Sequence, residues 1–137
     1  MSSIYAKYKD LGDKEELMDV DKGLSPQVNE DSILDNIESS EHKEWVIQNN
    51  KVVVVDVYGD WCGPCKSIEP RYKEMTKQYS RAGECAVVKE DIDKKITTNI
   101  RGVPTFQFFF KGQPAGIITG GDIRGVENKL IQLLQQP

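Results

Sequence analysis

The sequence predicts one α/β domain, and three observations carry that prediction. Strand-like and helix-like segments alternate in the order β-α-β-α-β and then, after a short link, β-β-α. Val52–Tyr58 reads VVVVDVY, a β-branched run without polar alternation, as expected for a central strand covered on both faces. FQFFF and AGIIT, residues 106–110 and 115–119, are separated by KGQP and read as an antiparallel hairpin. A length of 137 residues with 38% hydrophobic content suits one globular domain with a sizeable core and leaves no room for a second full one.

Residues 1–31 lack a sustained apolar period and contain Gly12, Gly23 and Pro26, so they read as an N-terminal acidic extension, with a short helix conceivable near Lys14 to Val20. The domain proper is expected over 32–137. ILDNIES, residues 33–39, suits a short first strand, and residues 41–48 a helix capped by Ser39 or Ser40. After the strand over 52–58, Pro64 can open a helix that Ile68, Tyr72, Met75 and Tyr79 continue at helical spacing, with a kink expected at Pro70 and a stop at Gly83. Residues 86–92 read as another inner strand. Asp122 caps a last amphipathic helix through Ile123, Val126, Leu130, Ile131 and Leu134.

The formal charge of −4 is unevenly placed: residues 1–31 hold eight acids against four lysines, and the remainder balances. This sign disfavours a nucleic-acid surface, which needs a basic patch. No apolar run approaches membrane-spanning length, and the opening residues lack a basic patch followed by an apolar stretch, so a soluble cytoplasmic protein without membrane partners is expected. Three cysteines are too few for a disulfide scaffold, and the odd number fits a reducing compartment.

Two of those cysteines stand in DWCGPCK, residues 60–66. Zinc normally needs four ligands, and only Cys85 and His42 remain, without paired spacing. A static clip closing so small a loop constrains little of the unfolded chain. Redox exchange is favoured on physical grounds. Cys62, placed just before a helix that starts near Pro64, faces unpaired amides and the positive end of the helix dipole, which stabilise the attacking thiolate. Two intervening residues let Cys65 reach Cys62 once a mixed disulfide has formed, with Gly63 and Pro64 restricting the turn. Asp56, inside an apolar run, is expected to have a raised pKa and to relay a proton to or from Cys65.

The segment VVVVDVYGDWCGPCKSIEP, residues 52–70, resembles the active-site strand and helix of the thioredoxin family, with Asp56, Trp61 and Pro70 at matching places. RGVPTF, residues 101–106, resembles that family's cis-proline loop, and Lys89 and Gly120 match as well. The resemblance covers roughly residues 33–137, and WCGPC is closer to the reducing members than to the CGHC or CPYC centres of isomerases and glutaredoxins. It implies a thioredoxin-like fold, a central mixed β-sheet flanked by helices. It also implies a disulfide reductase that uses a redox-active Cys62–Cys65 pair, binds no cofactor or metal, and draws reducing equivalents from NADPH through a separate thioredoxin reductase or equivalent donor. The expected partners are protein disulfides, and the expected state is a monomer.

By the same resemblance Cys62 is the nucleophile and Cys65 the resolving thiol. Trp61, Gly63, Pro64, Gly102, Val103, Pro104 and Gly120 surround the sulfur and meet the substrate chain, with a cis bond at Val103-Pro104 offering backbone for strand-like pairing. Lys89 is expected to pair with Asp56 or to lie on the surface, Tyr58 to support the core, Cys85 to be a small buried residue, and His42 to be a surface residue. DKKITTNIRG, residues 93–102, is shorter than the matching stretch of the bacterial members, so the helix usual there should shrink to a turn. Two alternatives keep the fold but give it another role, either as a dedicated oxidant or isomerase in a private redox pathway or as a binding or structural subunit contacting partners through the extension.

Overall fold

The computed structural model describes residues 36–137. The predicted extension and the conceivable helix near Lys14 lie outside them. Within them the elements run α1 (Ser40–Gln48), β1 (Val52–Tyr58), α2 (Gly63–Tyr79), β2 (Cys85–Asp91), a short 3₁₀ turn (Ile92–Lys94), β3 (Thr105–Phe110), β4 (Gln113–Thr119) and α3 (Ile123–Leu134). The expected helix between β2 and the proline loop is indeed reduced to that one turn.

The sheet order is β2-β1-β3-β4. β1 pairs parallel with β2 and antiparallel with β3, and β3 and β4 form the expected hairpin. The sheet is therefore mixed, and β1 lies inside it. Alternation along β1 splits its side chains between two layers. Val52 and Val54 join Ile68, Tyr72 and Met75 of α2 and Val126, Leu130 and Leu133 of α3. Val53, Val55 and Val57 join Ile37 and, from α1, Val46 and Ile47. That two-sided cover explains the unbroken valine run. Asp56 shares the parity of Val52 and Val54, so it faces the α2 layer; Lys89 is its register partner on β2.

Of the expected first strand, the described part makes one bridge, Asn36 to Lys89, with the Ile37 N–H donating to the Lys89 carbonyl at 2.7 Å. Ser39 caps α1, its hydroxyl accepting from the His42 N–H at 3.0 Å, so the helix begins where the expected strand was to end. Among the described residues the strand over 85–91 ends the sheet order, and its other edge is taken by the Asn36 bridge. His42 is buried, not on the surface. Its Nδ1 accepts the Glu38 N–H at 2.9 Å, which satisfies a backbone donor at the helix entrance, and burial lowers the imidazole pKa against an opposing pull from Glu38.

α2 is held in place from its middle to its C-terminal end. The Tyr72 hydroxyl donates to the Val88 carbonyl at 2.6 Å, and Arg71 and Tyr79 converge on Glu127 of α3 at 2.6 and 2.5 Å. Pro70 lies inside the continuous helix span. No described helix is long and apolar enough to cross a membrane.

Candidate active site

β1 ends at Tyr58, and a tight turn carries the chain into α2, with the Cys62 N–H donating to the Gly59 carbonyl at 3.1 Å. Cys62 is the N-cap of α2 in extended conformation, and Pro64 occupies the first helical turn, where a missing amide hydrogen costs nothing. The Cys65 N–H points back at Cys62 Sγ at 3.1 Å. The sulfur thus occupies the place where a side-chain oxygen usually satisfies the first amides of a helix. Cys62 and Cys65 are joined as a disulfide, their Cα atoms 5.3 Å apart. Exposure does not rank the two, at 4% and 5%. Position does, because Cys62 Sγ receives the helix amide.

Around this pair stand the other predicted contact residues. Trp61 is 69% exposed, its ring lying over Gly59 so closely that a Cβ there would meet it at 2.9 Å. The Val103 carbonyl oxygen lies 3.6 Å from Cys62 Sγ, and the Val103-Pro104 peptide is cis. The loop is braced locally: the Thr105 hydroxyl donates to the Gly102 carbonyl at 2.5 Å, and the Gly120 N–H to the Pro104 carbonyl at 2.8 Å. Gly120 holds φ of 102°, a backbone conformation that a side chain would strain. The adjoining Gly121 comes close to Pro64, since a Cβ on it would sit 3.9 Å from the proline ring. Trp61, Gly102 and Val103 line one side of an open cleft of about 340 Å³.

On the other side of the dithiol, Asp56, Cys65, Glu69 and Lys89 line a second cleft of about 130 Å³. Asp56 is 3% exposed, and its Oδ1 accepts no hydrogen bond among the described residues. Burial pushes its pKa up to about 7; the Lys89 charge pulls it down, and the Glu69 charge pushes it up again. Lys89 does not form an ion pair with Asp56. Its Nζ pairs with Glu69 Oε2 at 3.0 Å and sits 4.4 Å from the centre of the Tyr58 ring. That hydrogen bond is also the main reason the Glu69 pKa is lowered. Replacing Glu69 by Gln removes a like charge and frees Lys89 toward Asp56, so the Asp56 pKa should fall below its wild-type value. A carboxyl titration by NMR checks this; an unchanged or higher value would contradict it.

The comparisons with known proteins agree on what this arrangement is. The thioredoxin family model matches residues 34–136. The chain belongs to the thioredoxin family. It is 32% identical over 98 residues to thioredoxin-1 of Drosophila yakuba, covering 69% of this chain and 90% of that one. It is 36% identical over 86 residues to human thioredoxin, covering 62% and 82%. A Plasmodium falciparum thioredoxin structure superposes with a TM-score of 0.65 at 28% identity, covering 72% of this chain and 98% of that one. With its Cys62–Cys65 disulfide at the head of α2, this thioredoxin-family chain is a thiol-disulfide oxidoreductase.

Two residues beside the dithiol escape a reading of the sequence. Glu69 lies one helical turn beyond Cys65, and that i,i+4 spacing is a usable signal that both occupy one face of the helix. Gly59 gives none, because only the approach of Trp61 shows why a side chain is excluded there. Cys85 is buried as expected, and burial pushes its thiol up to about 12, with a further contribution from Glu84. At neutral pH it supplies no thiolate.

Proposed function

We propose that this thioredoxin-family protein reduces protein disulfides, with Cys62 as nucleophile, Cys65 as resolving thiol and Asp56 as proton relay. The observation that carries the proposal is the placement of Cys62 Sγ at the N-cap of a 17-residue helix, accepting the Cys65 N–H. In the reduced protein the same amide and the helix dipole act on a full negative charge, and both favour the thiolate. Cys62 S⁻ attacks one sulfur of the substrate disulfide, forming a mixed disulfide and expelling the other sulfur as thiolate. Cys65, once deprotonated, attacks Cys62 Sγ. The internal disulfide forms, the second substrate thiolate leaves, and two electrons have passed to the substrate.

Asp56 supports the second step. A carboxyl that titrates near 7 can take a proton at neutral pH and return it in the next cycle, and it shares a cleft with Cys65 that is polar and roomy enough to admit water between them. Trp61, Gly63, Pro64, Gly102, Val103, Pro104 and Gly120 form the contact surface for an extended substrate segment. Lys89 acts at one remove, through its charge on Asp56. Reducing equivalents come from NADPH through a separate reductase, and the protein works in the cytoplasm as a monomer without a bound cofactor.

The test is reduction of insulin disulfides by the pure protein, first with dithiothreitol as donor and then with a thioredoxin reductase and NADPH. Turnover with both is expected. Turnover with dithiothreitol alone would indicate a private electron donor, and turnover with neither would return the chain to a binding or structural role. Residues 1–31 form an extension to a domain at 32–137, and every proposed catalytic group lies beyond it. Deleting them should leave the melting transition and the dithiothreitol-driven assay unchanged while altering the salt dependence of partner encounter. A large drop in melting temperature would show that the boundary is wrong.

A further inference from the structure

The open cleft beside Trp61 has a charge that the oxidoreductase chemistry does not use. Two of its lining residues are cations, Lys95 and Arg101, and no carboxylate lines it. Both are exposed, and neither forms an ion pair among the described residues. The nearest acids in sequence lie off its walls: Asp91 is half-buried with its Oδ1 accepting the Asp93 N–H at 2.9 Å, Asp93 is exposed on the 3₁₀ turn, and Asp60 lines the second cleft. Lys95 adopts a left-handed conformation, φ 59°, unusual for a residue with a side chain, and its N–H donates to the Ile92 carbonyl at 3.0 Å.

The wall carrying these cations is also fixed from beneath. Thr97, which lines the cleft and is itself buried, accepts a hydrogen bond from Lys43 Nζ at 2.8 Å. The same Nζ donates to Gln107 Oε1 at 2.7 Å and forms an ion pair with the fully buried Glu90 at 2.7 Å. α1, β2 and β3 therefore converge on one ammonium that holds the loop. A wall held this way loses little freedom when a ligand binds, so more of the attraction appears as affinity.

We propose that this cleft is a subsite for acidic side chains, so that the protein preferentially reduces disulfides flanked in sequence by Asp or Glu. This deepens the disulfide-reductase reading and rests on it. Val103 both lines the cleft and presents its carbonyl to Cys62 Sγ, so the cleft that Lys95 and Arg101 line opens beside the sulfur under attack, within reach of side chains flanking the half-cystine. Exposed charges attract weakly one by one, and two acting together should change kcat/KM about tenfold at low ionic strength, with the effect fading as salt screens it.

The experiment uses the full reduced chain and two disulfide-bridged peptides, identical except for Glu-Glu or Lys-Lys beside one half-cystine. The readout is the acidic-to-basic ratio of kcat/KM at low and high salt, which cancels any general change in activity. Wild type should favour the acidic peptide about tenfold at low salt and far less at high salt. Lys95→Gln with Arg101→Gln should bring the ratio near one, and Lys95→Glu with Arg101→Glu should invert it. Equal rates on the two peptides, or a wild-type preference that survives charge reversal, would overturn the subsite. Neutral 2-hydroxyethyl disulfide separates the two levels. If wild type fails to reduce it, the reductase reading falls and the subsite with it; if wild type reduces it but shows no peptide preference, only the subsite falls.

Discussion

Replacing Cys62 by Ser abolishes turnover, about a thousandfold or more, while replacing Cys65 by Ser leaves the first attack intact and traps substrate on Cys62 as a mixed disulfide. The asymmetry follows from position rather than exposure. Both residues are nearly buried, but only Cys62 Sγ receives the Cys65 N–H at the head of α2. In Cys65→Ser nothing else can resolve the adduct, since Cys85 is buried with its thiol pushed up to about 12. Non-reducing gels with a protein substrate check this directly. Adducts on Cys62→Ser and none on Cys65→Ser would reverse the roles.

Replacing Asp56 by Asn should stabilise the protein above neutral pH and slow its exchange chemistry. The carboxyl has a pKa of about 7 in the fold against an ordinary 3.8. The folded state therefore holds its proton more tightly than the unfolded state does, and stability falls as pH rises from about 4 to about 7, remaining reduced above that range. The shift corresponds to about 4 kcal/mol at most. A buried amide with an unmet hydrogen bond gives back about 1–3 kcal/mol. The net gain is then of order 1–3 kcal/mol at pH 8, several degrees in Tm, and near pH 4, where only the amide's cost of about 1–3 kcal/mol remains, the substitution should destabilise instead. Reduction at neutral pH should slow about tenfold or more, because Cys65 loses its proton acceptor. Melting curves at pH 4 and pH 8, with rates across pH 6 to 9, test both parts. A rate unchanged across that range would make Asp56 a structural acid only.

The elements that sequence predicts well are those whose signal is local. The valine run of β1 places it inside the sheet, the Asp122 cap and apolar stripe define α3, and KGQP separates β3 from β4. The dithiol is legible for the same reason, since cap, proline and both cysteines lie within a few residues of one another. Sequence reasoning fails where a distant partner decides the outcome. His42 is a local miss instead: its partner, the Glu38 N–H, is four residues away, and no residue pattern marks a histidine as taking up a donor at a helix entrance. Lys89 is the register partner of Asp56, as its strand position suggests, but the ammonium sits on Glu69 and against the Tyr58 ring, on side chains from other elements. The same limit hides the Lys43 node, whose members come from α1, β2, β3 and the intervening loop.

The proposed chemistry depends throughout on Cys62 being the activated thiolate of the reduced protein. Limiting iodoacetamide applied between pH 5 and pH 9, followed by peptide mapping of all three cysteines, is the sharpest probe of that state. Cys62 should be alkylated first, at a rate that rises well below the ordinary thiol range near ~8.5, with Cys65 following slowly and Cys85 unreactive in the folded protein. Equal alkylation of Cys62 and Cys65 following an ordinary thiol titration, or Cys65 reacting first, would show that the helix start does not activate Cys62.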